Sequence, residues 1–351
     1  MEKKTTYHEQ KDVENILRLR EVLSTLPPFC RDYFRAIDTT TTTKTRISYA
    51  YDIRIFFQFL LDENPAFKDY KMTDFTVDVL DQIKALDLEE YQEYLKVYQA
   101  GDKTETNGER GLKRKISALR SFYAYYYRRE MIETNPTVLI DVPKIHDKSI
   151  IRLDTDEVAL LLDYIEHCGD QLTGQKRVYY EKNKERDLAI VTLLLGTGIR
   201  VSECVGLDIE DVDFKNNGIK VTRKGGNEMV VYFGPEVEKA LKRYLEVREN
   251  IIPLEGHEHA LFYSAQRRRI GVQALENLVK KYSQQITTTK KITPHKLRST
   301  YGTALYQETG DIYLVADVLG HKDVNTTKKH YAAIDDARRR QAAKAVKLRE
   351  D

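Results

Sequence analysis

Two stretches near the end of the 351-residue sequence decide its interpretation: TPHKLRST at residues 293–300 and LGHKDVNTTKKHY at residues 319–331. An amphipathic run separates them, so short helices joined by a turn are expected to carry their polar residues. The residues of interest are His295, Arg298, His321 and Tyr331. Guanidinium and imidazole groups bind phosphate oxygens, and a phenol is a nucleophile. Together these residue types suit the capture of a phosphodiester and its attack by a tyrosine.

A third stretch, GIRVSE at residues 198–203, precedes these two and adds a second arginine, Arg200. In this order and spacing the three stretches resemble the catalytic domain of the tyrosine recombinases, the lambda-integrase family. The resemblance extends by motif from about residue 153 to about residue 334. It implies a site-specific DNA recombinase that cleaves and rejoins strands through a 3′-phosphotyrosine intermediate, most like the Xer-type recombinases or the integrases of mobile elements.

The resemblance assigns roles to the matching residues. Arg200 and Arg298 correspond to the two arginines that hold the scissile phosphate, and Tyr331 corresponds to the nucleophile. A guanidinium suits phosphate binding because it donates two parallel hydrogen bonds and keeps its charge at neutral pH. His295 and His321 match a pair of which the first can accept the phenolic proton and the second donates to a phosphate oxygen. An imidazole titrates near neutrality and suits either task.

Expulsion of the 5′-oxygen requires a proton donor, since an alkoxide is a poor leaving group. In RKGGN at residues 223–227, Lys224 resembles the general-acid lysine that the family carries on a β-hairpin turn, and Arg223 lies beside it. Glu203 resembles the acid that supports the lysine loop, and a salt bridge at a helix start is an equally good interpretation. Ser299 stands where many relatives carry a histidine and is expected to have a supporting role.

Tyr331 is one of 23 tyrosines and is identified only by its context. It lies ten residues after His321, whereas the commonest family spacing is nine, and a one-residue bulge in a helix can absorb the difference. Covalent attachment conserves the energy of the phosphodiester bond, so no cofactor is implied. No metal is implied either, because no cysteine or carboxylate completes a ligand set around the histidines at metal-site spacing.

The bulk composition favours a two-domain globular protein. Lys and Arg total 57 against 55 for Asp and Glu, a net charge of +2, so a nucleic-acid partner has to be inferred from clustering rather than from total charge. No apolar run approaches the length of a membrane span, and the polar start MEKKT lacks a signal peptide, so a cytoplasmic location is expected. Three distant cysteines, Cys30, Cys168 and Cys204, predict reduced thiols.

The predicted fold is mainly α, with an all-helical core-binding domain and a mixed α/β catalytic domain that contains a small antiparallel β-sheet. The polar segment at residues 100–108 is expected to be a turn between helices. The predicted divisions are an N-terminal helical extension at residues 1–38, a core-binding domain that grips DNA at 39–140, a linker at 141–152 and the catalytic domain at 153–351.

Basic residues predict how the first domain meets DNA. Leu112, Ile116, Leu119 and Tyr123 form one apolar stripe at helical spacing, which leaves the opposite face for phosphates. A solvated helix face that contacts nothing is as good an interpretation for each residue. The candidates for contacts with double-stranded DNA are Lys44, Arg46, Arg110, Lys113, Arg114 and Lys115.

The tail after Tyr331 keeps helical character. In the family such a helix commonly docks onto a neighbouring subunit, so a tetramer on two duplexes is expected, although the RRR at residues 338–340 could equally touch DNA. The biological task is either chromosome-dimer resolution or the integration and excision of a mobile element. Two alternatives to recombination are a type IB topoisomerase-like strand relaxer and a catalytically silent DNA-binding protein of the same fold.

Overall fold

A computed structural model describes residues 6–146, 150–223, 226–321 and 324 of the chain. The chain divides into two compact units, Met1–Lys148 and Ser149–Asp351. Among these described residues, helices dominate both units, and each unit has one small antiparallel sheet. The predicted fold, mainly α with a small sheet in the second domain, is therefore confirmed in outline.

The first unit is built around two long helices. The elements within residues 6–146 are α1 (Tyr7–Ser24), α2 (Cys30–Ala36), α3 (Thr43–Glu63), α4 (Val79–Gln82), α5 (Ala85–Tyr94), β1 (Val97–Ala100), β2 (Lys103–Thr106) and α6 (Glu109–Arg128). Aromatic rings hold α3 to α6: Phe57 and Phe122 lie edge to face with centroids 6.2 Å apart. Tyr33 of α2 packs on Phe122 at 5.2 Å, and its hydroxyl donates to Ser121 at 2.9 Å.

Helix α1 packs into the same core as the helices that follow it. Thr6 and Glu9 form a capping box at its start, in which the Glu9 carboxylate accepts from the Thr6 backbone N–H at 2.7 Å. Leu19 and Val22 on α1 are buried among residues of α2, α3 and α6. The described part of the predicted N-terminal extension is thus a packed element of the first unit.

A β-hairpin in the first unit corrects the prediction that this domain is entirely helical. Strands β1 and β2 pair antiparallel, from Val97 opposite Thr106 to Ala100 opposite Lys103. Gly101 has φ +63°, a left-handed conformation that glycine adopts readily in a two-residue hairpin turn. The strand side chains are mostly exposed, so no apolar alternation was present in the sequence to indicate strands.

The second unit places its helices around α8. Its α-helices and strands within the described residues are α7 (Thr155–His167), α8 (Gly174–Thr197), α9 (Val201–Gly206), β3 (Val212–Asp213), β4 (Gly218–Thr222), β5 (Glu228–Tyr232), α10 (Pro235–Arg248), α11 (Val272–Ile286), α12 (Pro294–Thr309) and α13 (Ile312–Leu319). Helix α8 packs against α7, α10 and α12. Its buried segment at residues 188–194 supplies the centre of this unit.

Two glycines end the helices that bring the site together. Helix α8 ends at Thr197, and Gly198 closes it with φ +62°. A side chain at Gly198 would overlap the Tyr301 ring, so both conformation and space require glycine there. Gly320 closes α13 in the same way with φ +60°.

The sheet of the second unit has the order β3-β4-β5 and is antiparallel. Gly218 lies opposite Tyr232 and Thr222 opposite Glu228, which confirms the predicted hairpin.

The three cysteines are unpaired and buried. None of the helices in the described ranges is long and apolar enough to cross a membrane.

Candidate active site

Arg200 is the N-cap residue that directly precedes α9, two residues after Gly198. Its backbone N–H donates to Oε2 of Glu203 at 2.7 Å, and its Nη1 donates to Oε1 of the same carboxylate at 2.7 Å. Glu203 is 3% exposed, whereas a third of the Arg200 side chain reaches solvent. The carboxylate therefore fixes the backbone and the guanidinium of Arg200 together, while leaving that guanidinium accessible to a ligand.

Arg298 lies on the second turn of α12, which starts at Pro294 with its preset backbone. The residue is only 4% exposed. Its Nη1 donates to the Gly198 carbonyl oxygen at 2.5 Å, and its Nη2 donates to the Leu319 carbonyl oxygen. One side chain thus joins the end of α8 to the end of α13, as the planar fork of a guanidinium allows.

The C-terminal end of α13 is where the arginines meet. Arg200 Nη2 donates to the Gly320 carbonyl oxygen at 3.2 Å, one residue beyond the carbonyl that Arg298 binds. The last carbonyls of a helix lack partners within the helix and carry a partial negative charge, so cations are favoured there. The structure therefore brings together Arg200, Arg298 and Glu203 at the segment that leads into His321.

The two histidines are close in sequence to residues of this arginine cluster. His321 directly follows Gly320, and its backbone N–H donates to the Ala316 carbonyl at 2.9 Å. His295 is exposed on the first turn of α12, one turn before Arg298. The Ser299 hydroxyl donates to the His295 carbonyl at 3.1 Å, which is a helix-internal contact rather than a contact within the cluster.

The proposed nucleophile and proton donor lie outside the described residues. The hairpin predicted to carry Lys224 is described up to Arg223 and again from Gly226. Tyr331 and the predicted docking helix that follows it also fall outside the described ranges. Within those ranges, no group of three or more His, Cys, Asp or Glu side chains is placed to hold a metal ion.

A third arginine, which no sequence motif marks, also reaches the end of α13. Arg223 Nη2 donates to the Val318 carbonyl oxygen at 2.7 Å. Burial lowers the pKa of this guanidinium below its ordinary value, and Glu203 acts in the opposite direction. In the sequence, Arg223 is only the basic neighbour of Lys224, so its role emerges from the tertiary contact alone.

The structure separates the DNA-contact candidates on α6 into two groups. Arg110 and Lys113 are exposed, and Arg114 is half exposed while it binds the Asp52 carboxylate. Lys115 is 6% exposed and lies 3.6 Å from Asp52, so its predicted place on the phosphate-facing side needs correction. Three or four residues separate it from Leu112 and Leu119, which puts it on the packed face.

The buried carboxylate of Asp52 explains why a lysine can occupy that face. Burial raises the pKa of Asp52, and the charges of Arg114 and Lys115 oppose the rise. Burial likewise lowers the pKa of Lys115, which Asp52 counteracts. A buried charge needs such a partner, because desolvation disfavours its ionised form.

The two candidates at the start of α3 also differ. Lys44 is exposed. The Arg46 side chain is only 13% exposed and forms an ion pair with Asp38 at 2.5 Å. Arg46 therefore serves the packing of the first unit, and Lys44 remains the accessible cation of the pair.

The sequence is similar to proteins of one family over most of its length. Residues 152–338 match the Phage integrase family. The tyrosine recombinase XerS of Lactococcus lactis subsp. cremoris (strain MG1363) is 32% identical over 350 residues, covering 92% of this chain and 96% of the relative. The tyrosine recombinase XerC of Caldanaerobacter subterraneus subsp. tengcongensis is 32% identical over 329 residues, covering 90% and 86% respectively.

Solved structures show the same fold. The XerH site-specific recombinase bound to a palindromic difH substrate aligns with a TM-score of 0.62 at 22% identity, covering 86% of this chain and 78% of that one. The Tn1549 transposon integrase in complex with circular intermediate DNA aligns with a TM-score of 0.63 at 21% identity, covering 89% and 98%. The chain whose arginines meet at the end of α13 thus belongs to the phage integrase family and is a tyrosine site-specific recombinase.

Proposed function

We propose that this recombinase cleaves one strand of double-stranded DNA with the phenolic oxygen of Tyr331, to give a 3′-phosphotyrosine and a free 5′-hydroxyl. The observation that carries the proposal is the meeting of Arg200 and Arg298 at the α13 end, next to His321. In the reverse step the 5′-hydroxyl attacks the phosphotyrosine and releases the tyrosine. The bond energy is conserved in both directions, so the chemistry runs without a nucleotide cofactor.

The arginine pair would hold the phosphate through both cleavage and rejoining. As phosphorus becomes five-coordinate, negative charge grows on its non-bridging oxygens, and pre-organised guanidinium donors stabilise that charge. Glu203 and the helix-end carbonyls orient both groups before DNA arrives. Removal of one such donor typically lowers the rate on the order of 10² to 10³.

Two proton transfers and one hydrogen bond to the phosphate would come from three further residues. His295 would accept the phenolic proton of Tyr331, and His321 would donate a hydrogen bond to a phosphate oxygen. Lys224 would protonate the 5′-oxygen as it leaves. The support for these roles is the family resemblance of the motifs, together with the place of His321 directly after Gly320 and of His295 one helical turn before Arg298.

Accessible basic residues of the first unit would grip the DNA backbone. Lys44, Arg110, Lys113 and Arg114 remain candidates for phosphate contacts. Residues 39–140 would form the core-binding part, joined by a linker at 141–152 to the catalytic part. The enzyme would act in the cytoplasm, where chromosomal and mobile-element DNA are both accessible to it.

Four subunits on two duplexes would form the active assembly, with each C-terminal helix docked on the next subunit. Head-to-tail contacts of this kind close into a ring. The similarity to XerS and XerC favours a recombinase of the Xer type, with chromosome-dimer resolution ahead of mobile-element integration. Sedimentation of the chain with one duplex and with a pair of duplexes tests the assembly, since only the tetramer requires two.

Covalent trapping tests the proposed reaction. A DNA duplex recovered from the sites to which the chain crosslinks in its native cell, and nicked near the cleavage position, should trap the wild-type chain in a complex that survives denaturant. Tyr331→Phe should trap none. Tyr313→Phe is the matched control, because Tyr313 is 71% exposed on α13 and should leave trapping unchanged. Trapping by Tyr331→Phe would refute the nucleophile, and its absence in the wild type would favour a silent DNA-binding protein.

A further inference from the structure

Arg223 closes the base of the hairpin that connects β4 to β5. Its backbone N–H donates to the Asn227 carbonyl at 2.7 Å, and its carbonyl accepts from Gly226 N–H at 3.0 Å. Both backbone groups of Arg223 are therefore committed to the turn. Because the backbone of Arg223 is part of the turn, a contact that anchors its side chain also fixes the position of the base of the turn.

The side chain crosses from the hairpin to the end of α13. Besides the hydrogen bond to the Val318 carbonyl, the guanidinium lies directly against Gly320, where any Cβ would overlap it. Gly320 is the residue whose carbonyl accepts from Arg200. One guanidinium thus links the turn to the same helix end that orients the phosphate-binding arginines.

Stability alone does not account for an arginine at this position. The Nε and Nη1 atoms of Arg223 are buried and have no hydrogen-bond partner within the described residues. Burial disfavours the charge of the guanidinium and lowers its pKa, and the carboxylates of Glu203 and Asp317 oppose this effect while Arg200 adds to it. Buried donors without acceptors destabilise a fold, so an apolar side chain would suit the packing better. A hydrogen bond that connects two segments of a reaction site gives a reason for the arginine.

We propose that Arg223 is a positioning residue, which fixes the hairpin turn against the end of α13 so that the proton donor of the turn acts on the leaving oxygen. This inference rests on the proposed function, in which Lys224 is that donor. In this role Arg223 acts through the turn and not by contact with the phosphate or the leaving group. Its loss should therefore harm the protonation of the leaving group and leave phosphate binding intact.

The leaving group can be changed to isolate that step. In cleavage, the Tyr331 oxygen forms a bond to phosphorus, the bond from phosphorus to the 5′-oxygen breaks, and the 5′-oxygen takes a proton from the donor. With sulfur in place of the 5′-oxygen, the bond from phosphorus to sulfur breaks and a thiolate departs. Because a thiol is far more acidic than an alcohol, the thiolate leaves without a proton donor.

The experiment compares single-turnover cleavage of nicked duplexes that carry either the 5′-oxygen or the 5′-bridging sulfur at the scissile phosphate. Arg223→Met should cleave the oxygen substrate on the order of 10²-fold more slowly than wild type, and should approach the wild-type rate on the sulfur substrate. Arg223→Lys retains a donor for the Val318 carbonyl and should be intermediate. Lys220→Met is the matched control, since Lys220 lies on β4 with its side chain half exposed toward Asp211 and Glu228.

Each outcome decides between the two hypotheses. If Lys224→Ala recovers on the sulfur substrate and Arg223→Met does not, the positioning role is overturned while the proposed function stands. The same conclusion follows if Arg223→Met cleaves both substrates at the wild-type rate. If the wild type does not keep its activity on the sulfur substrate and Lys224→Ala does not gain activity on it, the assignment of Lys224 as proton donor fails. This inference then fails with it. DNA affinity and thermal unfolding, measured for every variant, show whether Arg223→Met is folded, and Arg223→Lys provides the test if it is not.

Discussion

Replacement of Glu203 by glutamine should weaken both the fold and the reaction, because this carboxylate accepts two hydrogen bonds from Arg200 at 2.7 Å each. Glutamine keeps one acceptor oxygen and turns an NH2 group toward the other donor. The loss is one charge-assisted hydrogen bond, about 1.5–3 kcal/mol. Because a third of the Arg200 side chain is exposed, we expect the lower part of that range, about 2 kcal/mol in the free energy of unfolding.

The effect on rate follows from the freedom that Arg200 gains. If the mobile guanidinium forfeits about one hydrogen bond to the phosphate in the transition state, cleavage slows by about 10- to 100-fold. Urea unfolding measures the first quantity, and single-turnover cleavage of the nicked duplex measures the second. Cleavage rates are compared without urea, at a temperature at which each variant is fully folded.

Glu157 provides a matched control within the same unit. It occupies the equivalent third position of α7, where its carboxylate accepts from the Asp154 backbone N–H at 2.8 Å and from Lys290 at 2.6 Å. Glu157→Gln should therefore lower stability by about 1 kcal/mol, as loss of a helix cap does, without slowing cleavage. A Glu203→Gln protein that is destabilised like this control and cleaves at the wild-type rate would show that Glu203 only caps its helix.

Four further substitutions test other parts of the structure. Gly198→Ala should destabilise the second unit by at least about 1 kcal/mol in thermal unfolding, because alanine resists the left-handed conformation; an unchanged melting temperature would contradict this. Lys113→Met should weaken DNA binding in anisotropy titrations and reduce the slope of log affinity against log salt concentration by about 1. Lys115→Met should leave the affinity and the slope unchanged, and equal effects of the two substitutions would contradict the burial of Lys115. The hydrogen bond from Arg243, at 2.5 Å, holds the pKa of Glu166 below its ordinary value of 4.5. Its stabilisation is present above that value and is lost as the pH falls through the lower folded-state value, so Glu166→Gln should cost about 0.5 kcal/mol at pH 7 and progressively less in acid, as urea unfolding would show.

Much of the catalytic unit was predictable because its motifs combine local conformation with chemistry. A glycine that ends a helix places the next residue at a new helix start, so the GIR stretch already indicated that Arg200 is set apart from α8. The hairpin followed from its glycines and alternating apolar residues. These signals lie within a few residues of one another and need no knowledge of distant contacts.

The remaining features depend on partners that are far away in sequence. The spacing of Lys115 from Leu112 and Leu119 already favours the packed face, but the sequence does not show that Asp52 lies there to balance its charge, nor that Asp38 pairs with Arg46. Arg223 showed no pattern at all, since its partner carbonyl at Val318 lies 95 residues later. Pairings of this kind are set by tertiary packing, and local propensity contains no information about them.

The eight residues of α13 make a helix too short to persist alone in water. It is held by a small apolar cluster that includes Val315 and Leu319, and by the guanidinium contacts at its end. Warming should fray such an element before α8 loosens, since local openings need far less free energy than global ones. Recombination would then fail at temperatures where circular dichroism still reports an almost fully helical protein.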